Sequence, residues 1–197
     1  VEAIIEDTDA KKNLFTVLDS LVGSSVILAS NTSSISISTL AATTARPDRV
    51  LGMHFMNPAP LMPLVELVKG QHTSQETMEA AVALCDRLEK TAVESADRPG
   101  FIANRILMPM INEAIYALMD NVGTAEAIDT VMKLGMKHPM GPLALADLIG
   151  LDVCLDIMQV LHEGFGDDKY QPCPLLRKMV EAGTLGRKTG AGFYNYS

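Results

Sequence analysis

An α/β layer followed by an all-α unit is the architecture this sequence predicts, on three observations. Short apolar runs alternate with amphipathic stretches as far as Ser95, the rhythm of βαβ units and a parallel sheet. From Pro99-Gly100 onward the strand-type runs stop and helical periodicity takes over. The 197 residues are 48% hydrophobic and 20% charged, which suffices for a sizeable core and argues against wholesale disorder.

Val1–Ile5 reads as a strand, and Glu6-Asp7-Thr8-Asp9 as a helix start. Leu14, Val17, Leu18 and Leu21 then recur at helical spacing up to Gly23. Val26–Ala29 is a continuous apolar run, the mark of a buried parallel strand, and the polar loop Ser30–Ser34 follows it. A short helix is expected over Ile37–Ala42, then strands over Val50–Phe55 and Leu64–Val68. Thr73 with Glu76 three residues on has the capping-box form, and Met78, Ala81, Val82, Cys85 and Leu88 give that helix its buried face. Thr91–Ser95 is the last strand. The helical half is read as Phe101–Asp120 with a kink at Pro109, Ala125–Leu134 ended by Gly135, Pro142–Leu161 with Gly150 as its weak point, and Pro174–Ala182. The domains are therefore expected at 1–97 and 98–197, and the methionines of the long helices are expected in the core.

A formal charge of −8 with scattered basic residues argues against a nucleic-acid surface. No apolar run reaches the roughly 20 residues a membrane helix needs. Cys85, Cys154 and Cys173 lie far apart and odd in number, which points to reduced thiols of a cytoplasmic-type protein rather than disulfides or zinc. His54, Glu66 and His72 lack metal-ligand spacing and no cysteine is near them, so no metal is expected. The chain opens on a strand-like run with no strand before it. We therefore expect these residues to be the C-terminal part of a longer chain.

His54 stands near the C-terminal end of its strand, ahead of the Pro-rich loop Asn57-Pro58-Ala59-Pro60. Ligands of open α/β sheets bind outside the carboxyl ends of the strands. A histidine satisfied in a loop is the alternative at this point. Glu66 interrupts the apolar run Leu64-Val65-Glu66-Leu67-Val68, and a buried carboxylate needs a partner. His54 is the obvious one, since a carboxylate beside an imidazole favours its protonated form and fixes its orientation. The competing reading is an edge strand with Glu66 in solvent. Ser30–Ser34 offers hydroxyls and amides at the same sheet edge, and Asn104 falls in the first turn of the helix that opens the second domain, as a ligand contact or as a local hydrogen bond. The dinucleotide fingerprint G-x-G-x-x-G is not found between Val1 and Ser197.

Several motifs, in order, resemble the 3-hydroxyacyl-CoA dehydrogenase family. They are Ser30-Asn31-Thr32-Ser33-Ser34, Met53-His54-Phe55-Met56-Asn57-Pro58, Leu64–Val68 and Pro99-Gly100-Phe101-Ile102-Ala103-Asn104-Arg105. His138-Pro139-Met140-Gly141-Pro142, Asp147–Asp152 and Gly186–Tyr194 complete the set. The resemblance spans nearly the whole chain and is nearest to the short-chain, 3-hydroxybutyryl-CoA type. It implies the C-terminal part of a Rossmann-type NAD-binding domain followed by an all-α dimerisation domain. It further implies His54 as catalytic base, Glu66 as its partner, and Ser33 and Asn104 on the substrate. Glu6, Lys11, Asn31, Ser33, Asn57 and Lys188 would lie on NAD or NADP. An acyl-CoA substrate and a homodimer follow, with no nucleic acid and no membrane among the partners. Pro63 departs from the lysine that many relatives carry there, which affects the charge at the substrate mouth.

The implied reaction sends hydride from C3 of the substrate to the nicotinamide while a base takes the hydroxyl proton. Two alternatives stay open: a non-catalytic helical dimerisation fragment, and the dehydrogenase part of a multifunctional β-oxidation protein. Without a Gly-rich turn in it, the 197-residue stretch by itself is expected to have little dehydrogenase activity.

Overall fold

The computed structural model describes residues 1–196. The chain divides into two compact units, Val1–Ile102 and Ala103–Ser197.

The first unit holds helix α1 (Thr8–Leu21), strand β1 (Leu28–Ser30), helix α2 (Ile37–Ala41), strands β2 (Val50–Phe55) and β3 (Leu64–Lys69), helix α3 (Gln75–Arg87) and strand β4 (Thr91–Ala96). The sheet runs β1-β2-β3-β4. Two apolar clusters sit on its two faces, as side-chain alternation requires. Phe15, Leu28, Ile37, Leu40, Val50, Val68 and Phe101 fill one. Leu51, Met53, Val65, Leu67, Met78, Ala81 and Cys85 fill the other. Gly52 belongs to the first face, where a Cβ would come within 2.8 Å of Val68 and 2.9 Å of Ile37.

Three expectations change. The strands are not all parallel: β1/β2 and β3/β4 are, but β2 and β3 pair antiparallel. A parallel neighbour needs a crossover of a dozen or more residues, and the 56–63 connection is too short and contains no helix. Val1–Ile5 is not a strand; only Glu2 bridges Ser30, and Val1 and Ile5 are exposed. The inward stripe of α1 has helical period but a shifted phase. Lys11 and Phe15 are fully buried, while Val17 and Leu21 face outward.

Caps explain where these helices begin and end. Asp7 accepts from Ala10 N at the start of α1. At its far end Arg46 is spent on last-turn acceptors: Nε on the Asp19 carboxylate at 2.6 Å, and the carbonyls of Asp19, Val22 and Gly23. The cap of α3 is Ser74, one residue past the expected Thr73. Thr73 instead turns its hydroxyl to the Val50 carbonyl at 2.5 Å.

The second unit comprises α4 (Ala103–Met119, Pro109 inside it), α5 (Ala125–Thr130), α6 (Pro142–Ile149), α7 (Leu151–Phe165) and α8 (Pro174–Glu181). Residues 131–135, expected to continue α5 as ordinary helix, wind more widely as a π-helical turn. The long helix expected over Pro142–Leu161 is two helices, because Gly150 stands at φ +106°, which a helix interior does not admit. Met108, Ile111, Ile115, Leu143, Leu151, Met158 and Leu161 form the core.

Two buried aspartates organise this unit. Asp129 accepts from Leu143 N and Ala144 N, both at 2.9 Å, and so caps α6 from a distance. Asp147 accepts from Phe193 N, Tyr194 N and the Tyr196 hydroxyl, each at 3.0 Å. Tyr194 joins the two, its hydroxyl donating to Asp129 at 2.9 Å. A side chain at Gly186 would collide with the Asp147 backbone, and one at Gly192 with its carboxylate, so the tail closes only with glycine at both positions.

Candidate active site

His54 and Glu66 are directly opposed in the antiparallel β2/β3 ladder, so their side chains stand side by side on the same face. His54 Nδ1 lies 2.8 Å from Glu66 Oε2, and both residues are buried. The edge-strand alternative for Glu66 is thereby removed, since β3 lies between β2 and β4. Glu66 Oε1 accepts from Ile102 N at 3.0 Å. Phe101 meets the imidazole edge-on, with ring centroids 5.9 Å apart. An ionised carboxylate is acceptor-only, so the proton between the pair sits on Nδ1 and Nε2 is left as the basic ring nitrogen.

A second cluster gathers at the same carboxyl edge of the parallel strands. Glu6 Oε1 accepts from the Thr32 hydroxyl at 2.6 Å, Ser33 N at 2.8 Å, Ser34 N at 3.1 Å and the Ser34 hydroxyl at 3.2 Å. Glu6 thus orders the loop that carries Ser33. Lys11 is wholly buried, with Nζ 2.9 Å from Glu2 Oε1 and 3.6 Å from Glu6 Oε2. Asn31 leaves β1 with its Oδ1 accepting from Phe55 N at 2.9 Å, which ties the Ser33 loop to the end of β2. Asn57 is exposed at the start of the 56–63 connection.

The remaining two candidates belong to the second unit. Asn104 is buried in the first turn of α4. Lys188 sits in the turn Arg187–Thr189, with Nζ 2.6 Å from Asp152 Oδ2 at the start of α7. Sequence reasoning missed Glu2, Thr32 and the Ile102 amide. Glu2 carried the same signal that marked Glu66, a carboxylate inside an apolar run.

The donor set fits a dinucleotide. A half-exposed carboxylate at the carboxyl end of the parallel β1/β2 pair supplies the acceptor that ribose hydroxyls require, and asparagine amides and serine hydroxyls flank it. Among the described residues no group of three or more metal-ligating side chains occurs.

An open α/β unit with a His–Glu pair at its carboxyl edge, followed by a helical unit, defines a two-domain dehydrogenase class. Residues 1–98 match the family model of the 3-hydroxyacyl-CoA dehydrogenase NAD-binding domain, and residues 100–196 match that of its C-terminal domain. The chain belongs to the 3-hydroxyacyl-CoA dehydrogenase family, and its first unit is Rossmann-type.

Among its relatives is a probable 3-hydroxybutyryl-CoA dehydrogenase of Bacillus subtilis, 61% identical over 196 residues, covering 100% of this chain and 68% of that protein. A 3-hydroxybutyryl-CoA dehydrogenase of Bradyrhizobium diazoefficiens is 58% identical, covering 100% and 67%. The crystal structure of (S)-3-hydroxybutyryl-CoA dehydrogenase from Ralstonia eutropha superposes with a TM-score of 0.97 at 54% identity, over 100% of this chain and 69% of that one.

Proposed function

We propose that the protein interconverts (S)-3-hydroxyacyl-CoA, with 3-hydroxybutyryl-CoA as its main substrate, and the corresponding 3-oxoacyl-CoA, using NAD. The observation that carries this reading is the 2.8 Å His54–Glu66 pair at the carboxyl end of β2, on the same sheet edge as the Glu6-ordered Ser33 loop.

NAD, when bound, supplies the hydride chemistry. The protein's part is the proton and the positioning. In the oxidation direction His54 Nε2 takes the proton of the C3 hydroxyl, and in the reverse direction returns it. Glu66 holds the ring through Nδ1 and stabilises the imidazolium that forms, as a buried counter-charge. Ser33 and Asn104 hold the C3 oxygen. Glu6, Lys11, Asn31, Ser33, Asn57 and Lys188 form the cofactor site, Glu6 by accepting from ribose hydroxyls and Lys11, wholly buried, as the cation beneath it.

The helical unit is the dimerisation unit in this reading. Ile111 and Ile115 of α4 are consumed by the unit's own core. Ile106 (67% exposed), Val131, Leu134 and Met136 (61% exposed) are left outside it. An apolar recess of about 590 Å³ lies between α4 and the His138-Pro139-Met140 segment. Uncovered apolar surface of this kind marks an association site. Sedimentation at micromolar concentration tests this, and a monomer refutes it. A cytoplasmic location belongs to the same reading, supported by three buried unpaired thiols.

The test of the activity is NADH oxidation driven by acetoacetyl-CoA in the full-length protein. His54→Gln is expected to lower kcat by about 10²–10⁴-fold, the usual share of a general base. A kcat within a few-fold of wild type would remove His54 from the mechanism.

A further inference from the structure

A buried ion pair lies beneath the Ser33 loop, and its acidic half has no role in the reading above. Glu2 is 7% exposed, because its backbone bridge to Ser30 directs the side chain inward. Its carboxylate accepts from Lys11 Nζ at 2.9 Å on Oε1 and 3.1 Å on Oε2, from Ile4 N at 3.0 Å, and from the Ser30 hydroxyl. Burial pushes the Glu2 carboxyl up, but the bonds from Ser30, Ile4 and Lys11 outweigh it and hold it below the ordinary glutamate value. Glu2 is therefore ionised at neutral pH.

An ammonium has three protons to give. The two Glu2 oxygens and the Ile4 carbonyl at 3.3 Å receive those of Lys11, and Glu6 Oε2 stands off at 3.6 Å. Glu6 is thus free to accept from the Thr32 and Ser34 hydroxyls and the Ser33 and Ser34 amides. A buried ion pair adds little stability that apolar packing would not supply. What it does supply here is a division of labour between two carboxylates around one ammonium.

We propose that Glu2 is a positioning residue for the cofactor site: by binding the Lys11 ammonium through both carboxylate oxygens, it keeps Lys11 off Glu6 and leaves Glu6 to order the Ser33 loop. The inference rests on the reading of Glu6, Lys11 and Ser33 as cofactor contacts. Without the Glu2 charge, the buried ammonium has only Glu6 as counter-ion and draws it away from the Ser33 and Ser34 amides. The effect then reaches cofactor binding before it reaches proton transfer at His54.

The experiment titrates NADH by fluorescence and follows acetoacetyl-CoA reduction in the full-length protein, for wild type, Glu2→Gln, Lys11→Met and the double variant. Glu2→Gln retains the size of the side chain and removes the charge. We expect it to raise the NADH Kd about tenfold, the scale of one charge-assisted bond, with KM for NADH following and a smaller loss in kcat. In the Lys11→Met background the same change adds nothing, because Glu2 acts through Lys11. A Glu2→Gln Kd within twofold of wild type, or an equal factor in both backgrounds, overturns the inference. If Glu2→Gln does not fold, Ser30→Ala is read by the same rule. It removes one donor that holds the Glu2 carboxylate and is expected to raise Kd about threefold, and an unchanged Kd overturns the inference. A wild type that binds no NADH overturns the reading of the site, and the inference with it. A wild type that binds NADH beside unaffected variants overturns the inference alone.

Discussion

Replacing Glu66 with glutamine probes the pair where it is most constrained. The carboxylate accepts on both oxygens, from His54 Nδ1 at 2.8 Å and from Ile102 N at 3.0 Å. A glutamine has one accepting oxygen and one donating nitrogen. If its oxygen faces His54, its NH₂ meets the Ile102 N–H. If the amide is turned, the NH₂ meets the imidazole proton. Either way a donor opposes a donor in a buried place, and the negative charge that stabilises the imidazolium is gone. A hydrogen bond to a charged group is worth about 1.5–3 kcal/mol, which as a barrier difference is about tenfold to 10²-fold in rate. The expected result for Glu66→Gln is a fall of that size in kcat for acetoacetyl-CoA reduction, with less change in KM for the CoA ester. Stopped-flow single turnovers with saturating NADH isolate the chemical step from product release. A single-turnover rate within twofold of wild type, in a variant with unchanged circular dichroism, would refute the role of Glu66 as the partner of the base.

Other outcomes follow from the second unit and the thiols. Asp147→Ala strands the three donors now bonded at 3.0 Å and is expected to cost about 3 kcal/mol in urea unfolding at unchanged m. A loss below about 1 kcal/mol would mean that water replaces the carboxylate. Burial pushes the Cys154 thiol up to about 12 and raises Cys85 and Cys173 as well, so a disulfide reagent should find no thiol in the folded protein and three after unfolding. For Asp152, burial acts upward, but the Lys188 ammonium and the backbone N–H groups of Val153 and Asp152 together outweigh it, leaving its carboxyl below the ordinary aspartate value. A depressed folded pKa contributes stability that is complete above the ordinary value and lost as pH falls through the folded one. Lys188→Met should therefore flatten the decline of the melting midpoint as pH falls from about 5 to about 2, and an unaltered decline would assign the acid limb to other carboxylates.

The pairing of His54 with Glu66 was legible because both signals were local: a histidine at a strand end, and a carboxylate in an apolar run that needed a partner. Chain direction was not legible in the same way. The Val50–Phe55 and Leu64–Val68 runs look alike in either orientation, and only the shortness of the 56–63 connection distinguishes them. The phase of α1 failed for a specific reason. Leucines and valines at helical spacing read as the inner face, whereas the structure buries Lys11 there, neutralised by Glu2 from the segment just before the helix. The bonding roles of Asp129 and Asp147 were not legible, because an aspartate on an amphipathic helix reads as a solvated one until the groups that donate to it are known. The break at Gly150 was visible as a weak point but not as a full stop, since a φ of +106° depends on how α6 and α7 pack.

The inversion between β2 and β3 has a consequence for how such an enzyme can vary. His54 and Glu66 face each other because their backbones are adjacent rungs of one ladder, not because of anything in the chain between them. The 56–63 connection is an excursion from that ladder, exposed along residues 57–63 and moored at its far end by Lys90, whose ammonium donates to the carbonyls of Ala59 and Met62, each at 2.7 Å. Residues can be exchanged in the exposed part of that excursion while the His54–Glu66 pair keeps its geometry, because the register is settled by the β2/β3 ladder bonds themselves. The His54–Glu66 pair is inherited with the sheet, and the excursion, Pro63 included, can change without rebuilding it.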